Sequence, residues 1–205
     1  MAVTTRRTLL AAPALLGAPV LLGATVAARP ALAQDARMAE RSAGPANAPV
    51  VVTEFYSLTC SHCANFHVNV WPQVKRELVE TGRIRMVWAD FPLDEIALRA
   101  AMVARSLPAD RYEPFVSTLF ATQNRWAFGG DPMAGLAQTA ALAGMPRAQF
   151  DQVVADQALQ RSILEARLAA QNRHSIRATP SFLFGSRLVA GGMSFDDFKA
   201  NVQRG

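Results

Sequence analysis

Val50-Val51-Val52-Thr53-Glu54-Phe55-Tyr56-Ser57-Leu58-Thr59-Cys60-Ser61-His62-Cys63 is the stretch on which the reading of this chain turns. Its first eight residues, Val50 to Ser57, are rich in β-branched and aromatic types with little alternation, the pattern of a strand buried on both faces. After Cys63, apolar side chains recur at every fourth position, Phe66, Val70, Val74 and Leu78, which predicts a helix from His62 to about Glu80. Pro72 inside that run predicts a kink, and Thr81-Gly82 an end. Both cysteines of the chain therefore fall where a strand hands over to a helix N-terminus. Unpaired backbone N–H groups and the positive end of the helix dipole favour a thiolate there, so the pair reads as a redox-active dithiol.

Three other side chains bear on that pair, Glu54, His62 and His67. Glu54 places a carboxylate in an apolar strand; burial disfavours its charged form and makes it a candidate proton acceptor for Cys63. His62, between the cysteines, can add a positive charge or an N–H to a Cys60 thiolate. His67 follows Cys63 by four residues and shares its helix face, which suits either core packing or a Cys/Cys/His copper or zinc site. His174, in Arg173-His174-Ser175, reads as a surface turn residue.

The chain has 205 residues with a formal net charge of +5. Its basic residues are scattered, which argues against a nucleic-acid partner. Two cysteines exclude a multi-disulfide scaffold, and a bridge between positions 60 and 63 closes too small a loop to be a structural staple. Residues 1–33 have the pattern of an export signal: Arg6-Arg7, an apolar run from Leu9 to Ala28, and Ala31-Leu32-Ala33 as a cleavage pattern. Pro13, Pro19 and Gly23 interrupt the run, favouring removal near Ala33 over anchoring. Thr5-Arg6-Arg7-Thr8-Leu9-Leu10 resembles a twin-arginine motif. Export to the periplasm would place the dithiol where disulfides persist.

The remainder is long enough for one domain with a core. Residues 34–48 form a polar, turn-rich lead-in. Ile84 to Ala89 predicts a second strand, stopped at Asp90-Phe91-Pro92. From Asp94 to about Ser175 helices are predicted at 94–106, 111–122, 132–143, 146–156 and 158–173. Their core contacts are assigned to Leu98, Met102, Leu107, Phe115, Leu119, Phe120, Ile163, Leu164 and Leu168. Ser181 to Phe184 and Arg187 to Ala190 flank Gly185-Ser186 as a hairpin, and Ser194 caps a final helix.

A C-x-x-C at a strand-to-helix junction, followed by a second strand, a helical block and a Thr-Pro before a closing ββα, resembles the DsbA-like exported thiol-disulfide oxidoreductases. Ala48-Pro49-Val50, Glu54-Phe55, Cys60-Ser61-His62-Cys63, Asp90-Phe91-Pro92-Leu93-Asp94 and Thr179-Pro180-Ser181-Phe182 carry the resemblance. It implies an α/β, thioredoxin-like fold (βαβ…ββα) over 49–205, with an all-helical insertion at about 94–175. Within it Cys60 is the nucleophile, Cys63 the buried resolving cysteine, and Glu54 a buried acid beneath it. Pro180 is a cis-proline facing the dithiol, and Thr179 presents its backbone to substrate.

The implied function is a dithiol oxidase that introduces disulfides into exported proteins through a Cys60–Cys63 bridge and is reset by a redox partner, with no cofactor. A monomer is expected, because the stretch between Ala33 and the first strand is short. Ser61 stands where oxidases of this family commonly have proline, and Thr179 also occurs in isomerase-type relatives, so isomerase or reductase is the alternative. A metal-handling protein and a peptide-holding module are the readings from other classes. Some relatives carry a second cysteine pair in the helical block; Ser106 and Val153 occupy that neighbourhood here.

Overall fold

The structure, a computed structural model, describes residues 1–4 and 35–204. The chain divides into two units, Met1–Ala33 and Gln34–Gly205. The expected export signal, beyond its first four residues, lies outside the described residues.

The lead-in holds more structure than its composition suggests. A single 3₁₀ turn, Ala36–Met38, is capped by the Asp35 carboxylate, which accepts from the Arg37 N–H. A short strand follows, β1 (Arg41–Ala43), pairing antiparallel with Met86 to Trp88. Three residues without apolar alternation leave no strand signature, so β1 went unpredicted. Its position is set from outside. Arg85 donates to Glu40 and Ser42, and the Arg41 guanidinium donates to the Arg105 and Leu107 carbonyls. At Gly44 the chain turns with φ +97°, and a Cβ there would stand 2.6 Å from the Ile84 carbonyl oxygen. Only glycine meets both conditions.

Next come β2 (Val50–Tyr56), α1 (Ser61–Asn69), α2 (Trp71–Val74) and β3 (Ile84–Asp90). Strands β2 and β3 are parallel, with Val52 opposite Met86 and Glu54 opposite Trp88. The expected kink is a full break: α1 stops at Asn69, and Pro72 sits in the first turn of α2, where its missing N–H is not needed. The chain then widens into one π turn, Lys75–Val79. Phe66, Val70, Val74 and Leu78 are all buried across these pieces, as their spacing predicts.

The helical insertion comprises α3 (Glu95–Ser106), α4 (Ala109–Ala121), α5 (Gln123–Trp126), α6 (Pro132–Leu142), α7 (Arg147–Val154) and α8 (Gln157–His174). The chain returns to the sheet in β4 (Ser181–Phe184) and β5 (Arg187–Ala190) and closes with α9 (Phe195–Val202), capped by the Ser194 side chain. The sheet order is β1-β3-β2-β4-β5, with β2 central and only its β3 edge parallel. This is a thioredoxin-like fold carrying a helical insertion.

Val52, Tyr56, Ile84, Met86, Trp88, Phe182 and Phe184 face the main core, where Phe66 of α1 and Phe198 of α9 pack on them. The other face holds a smaller cluster of Phe55, Phe91 and Ile176 with Ala170 of α8. Two expectations need correction here. Strand β2 is not buried on both faces along its whole length: Val51 is 42 % exposed. On α8, Ile163 is buried, but Leu164 and Leu168 are 39 % and 55 % exposed. The packed stripe of that helix runs Leu159, Ile163, Arg167, Ala170. Arg167 lays its guanidinium over the Phe91 ring at 4.8 Å, so an arginine stem covers surface that leucine was expected to cover.

One buried polar cluster ties the layers together. Asp90, ending β3, forms an ion pair with Arg105 of α3 and accepts from the Tyr56 and Tyr112 hydroxyls, which lie 2.6 Å apart. Arg105 also donates to the Arg37 and Ala39 carbonyls of the lead-in. Burial and the Asp90 charge push both tyrosines up, so both stay neutral. Replacing Asp90 by Asn leaves a buried guanidinium without its counter-charge. We expect a stability loss of about 3–5 kcal/mol, read as a lowered urea midpoint without a change in slope.

Candidate active site

The end of β2 and the start of α1 place the two sulfurs in opposite surroundings. Cys60 is the N-cap residue of α1, with φ −81° and ψ 120°, and is half-buried; Cys63, one turn on, is fully buried in the main core. Both are free thiols. The Cys60 thiol lies 3.2 Å from the Thr179 carbonyl oxygen and donates to it. Thr179 precedes Pro180 through a cis peptide and brings the loop before β4 against α1. Thus Cys60, Cys63, Thr179 and Pro180 meet in one place.

Their proton affinities diverge. Cys60 is lowered to about 5, chiefly because the Cys63 thiol donates to its sulfur. Burial opposes this, and Thr179 and the N–H groups of Cys63 and His62 add to it. A carbonyl oxygen accepts from the thiol but cannot stabilise the thiolate. The Thr179 hydroxyl, buried and otherwise without a partner, can turn to donate once Cys60 ionises. Cys63 is pushed far up by burial, by its bond to Cys60 and by the charge of Glu54.

Glu54 is fully buried (0 % exposed), in the centre of the sheet between Trp88 and Phe182. Its oxygens lie 2.9 and 3.2 Å from the His67 Nε2. His67 is thus turned toward a carboxylate rather than toward the sulfurs. Among the described residues, no group of three His, Cys, Asp or Glu side chains could hold a metal ion. The His62 imidazole is exposed and makes no side-chain hydrogen bond among the described residues; its backbone N–H is the part that reaches Cys60. The His174 ring is partly buried and lies tilted against Phe55, with centroids 5.7 Å apart, away from the two sulfurs.

Two supports were not predicted. Gln123 of α5 is buried and donates to the Leu58 and Cys60 carbonyls, at 2.8 and 3.1 Å. Thr59 donates to Asp94, which also caps α3 by accepting from the Ala97 N–H. A lone glutamine among helix formers gives no sequence signal. Asp94 had one, as the last residue of the Asp90-to-Asp94 stretch.

Residues 37–204 match a family model described as thioredoxin. A curated Rickettsia felis protein, named as a protein-disulfide oxidoreductase, is 26 % identical over 156 residues. The match covers 76 % of this chain and 56 % of that protein, so the chain spans little more than half the length of that relative. The crystal structure of Wolbachia pipientis alpha-DsbA1 is similar with a TM-score of 0.75 at 26 % identity, covering 82 % of this chain and 90 % of that one. A protein-disulfide isomerase from Novosphingobium aromaticivorans shares the fold with a TM-score of 0.70 at 22 % identity, covering 80 % and 96 %.

The divergence of the two thiols has a direct spectroscopic consequence. Thiolate absorbance of the reduced protein should titrate with a midpoint near 5. It should vanish in Cys60→Ser and move upward in Thr179→Val. The Cys60 value is depressed below the ordinary thiol value of 9.0. Reduced-state stability from this group is therefore complete above that value and lost as pH falls through about 5. The chain belongs to the thioredoxin family, in its DsbA-like form.

Proposed function

We propose that this protein is an exported thiol-disulfide oxidoreductase that acts as a dithiol oxidase on other exported proteins. The observation that carries this reading is the pair of opposed environments at Cys60 and Cys63. A Cys60 thiolate stabilised in the reduced state makes the disulfide a better oxidant.

The cycle follows from the two positions. A substrate thiolate attacks the half-exposed Cys60 sulfur of the bridge; the Cys60–Cys63 bond breaks, and the Cys63 sulfur leaves with the electron pair and takes a proton. A second substrate thiolate then attacks the substrate sulfur of the mixed disulfide. The substrate leaves with a disulfide, and Cys60 leaves as the stabilised thiolate. A partner disulfide resets the dithiol. The Thr179 backbone beside Cys60 suits pairing with an extended substrate segment, and Glu54 suits the proton transfers of Cys63. The His62 N–H and the dipole of α1 support the anionic sulfur.

Export rests on the pattern of residues 1–33, and the assignment to the periplasm rests with it. Among the described residues, no helix is long and apolar enough to cross a membrane. A monomer that uses no cofactor is the form we propose.

The reduction potential tests the direction of electron flow. Equilibration with glutathione should give a value near the oxidising end for this fold, about −120 mV, and one near −270 mV would make the protein a reductant. The oxidised protein should also restore activity to a reduced, disulfide-requiring enzyme, and Cys60→Ser should abolish that. Full activity in that variant would remove the proposal.

A further inference from the structure

We infer that His67 is a positioning residue for disulfide exchange: its Nε2–H holds the Glu54 carboxylate in the ionised form that accepts the Cys63 proton. The inference rests on the dithiol reading above and goes beyond it to a residue that touches neither sulfur nor substrate.

The contact is enclosed. The His67 and Glu54 side chains are 1 % and 0 % exposed, and Nε2 reaches both carboxylate oxygens. Among the described residues, His67 is the only side chain that donates to Glu54. Away from the Glu54 edge the ring is held by aromatic groups. Phe120 of α4 stacks on it at 4.3 Å, with Phe66, Tyr56 and Trp71 around it.

The second ring nitrogen, Nδ1, is buried without a partner. That fixes the tautomer. An N–H on Nε2 leaves only a lone pair unmatched at Nδ1, whereas an N–H on Nδ1 would strand a buried donor. The ring's single N–H therefore points at Glu54.

Other charged and titratable groups nearby are turned elsewhere. From β2, the Tyr56 hydroxyl goes to Asp90 and Tyr112. From α4, Tyr112 joins that cluster, and Asp90 of β3 is paired with Arg105 of α3. From α2, the Trp71 indole N–H goes to Glu113 of α4, which is paired with Lys75. β4 and α9 bring only Phe182 and Phe198 to the Phe66 side of the cluster. Among the described residues, the one titratable group left facing the Glu54–His67 pair is Cys63, which feels the Glu54 charge.

In the mixed disulfide at Cys60, the Cys63 S–H bond breaks and its proton passes to Glu54. The Cys63 sulfur pair forms the bond to the Cys60 sulfur, and the partner sulfur leaves as a thiolate. His67 keeps its proton throughout. Its hydrogen bond favours the carboxylate over the carboxylic acid and keeps Glu54 able to receive that proton.

Reaction of the reduced protein with glutathione disulfide separates the steps. Rapid acid quench and mass spectrometry follow mixed-disulfide formation at Cys60 and then its loss as Cys63 attacks. In His67→Phe the second step should slow about tenfold at pH 7, with the rising limb of its pH profile moved up by about one unit. The first step should be unchanged. His67→Gln keeps an N–H donor and should restore the wild-type profile; in a Glu54→Gln background the His67 substitutions should no longer shift it.

If His67→Phe does not fold, His67→Leu gives the same test. An unshifted profile in the apolar variant, or an equal shift in His67→Gln, would overturn the inference and leave the dithiol reading standing. A wild-type protein that forms no mixed disulfide at Cys60 would overturn both.

Discussion

Strand β2 ends by sending one sulfur to the rim and the next into the core, and the rest of the site follows from that geometry. Cys60 caps α1, so its sulfur lies beside backbone N–H groups that no helical turn satisfies. Cys63 is one turn later, and a turn of helix is enough to bury it completely. The same three-residue offset that allows a disulfide thus separates two dielectric environments. Burial and Glu54 penalise a Cys63 anion, while Cys63 itself stabilises a Cys60 anion by donating to it. The asymmetry comes from position along one helical turn; among the described residues no charged side chain bonds to the Cys60 sulfur.

That arrangement has to be held against its own polarity. A carboxylate at the centre of a sheet, between Trp88 and Phe182, carries a desolvation penalty that few contacts offset. His67 meets part of it, and the aromatic ring cluster around His67 keeps water from meeting the rest. Asp90 poses the same problem at the end of the neighbouring strand and has a different solution, with Arg105 as counter-charge and two tyrosine hydroxyls as donors. Tyr56 belongs to both surroundings, with its ring 6.1 Å from His67 and its hydroxyl on Asp90. Tyr56 therefore joins the surroundings of the two buried acids: its ring lies beside the histidine bonded to Glu54 and its hydroxyl donates to Asp90.

What was legible in the sequence was what repeats or breaks. The four-residue spacing of Phe66, Val70, Val74 and Leu78, the hairpin at Gly185-Ser186 and the cap at Ser194 each encode local geometry and were found. The convergence of Cys60 with Thr179, 119 residues away, was available only through a resemblance between whole-chain patterns. β1 was missed because its pairing is imposed by β3 and by arginines from other elements. Leu164 and Leu168 were misplaced because periodicity alone does not tell an aliphatic leucine stripe from one in which Arg167 takes the packed position. The Glu54–His67 bond was invisible for a similar reason. Glu54 and His67 lie thirteen residues apart on a strand and a helix, and no local pattern ties one to the other.

The helical insertion has a bearing on the site beyond covering it. From α4 come Phe120, stacked on His67, and Tyr112, bonded to Asp90; from α5 comes Gln123, bonded to the carbonyls of Leu58 and Cys60. Asp94, at the threshold of α3, holds Thr59. Gln123 and Asp94 thus reach the loop that carries Cys60, and Phe120 reaches the ring bonded to Glu54. The Cys60 carbonyl already accepts the first helical bond, from the Ala64 N–H, whereas the Leu58 carbonyl lies in the loop between strand and helix. Gln123 donates to the Leu58 carbonyl and is a second donor to the Cys60 carbonyl, so the insertion tethers the loop that leads from β2 to Cys60. A thioredoxin-like core could form the junction alone, but here the loop before Cys60 and the ring bonded to Glu54 are both packed against residues that the insertion contributes.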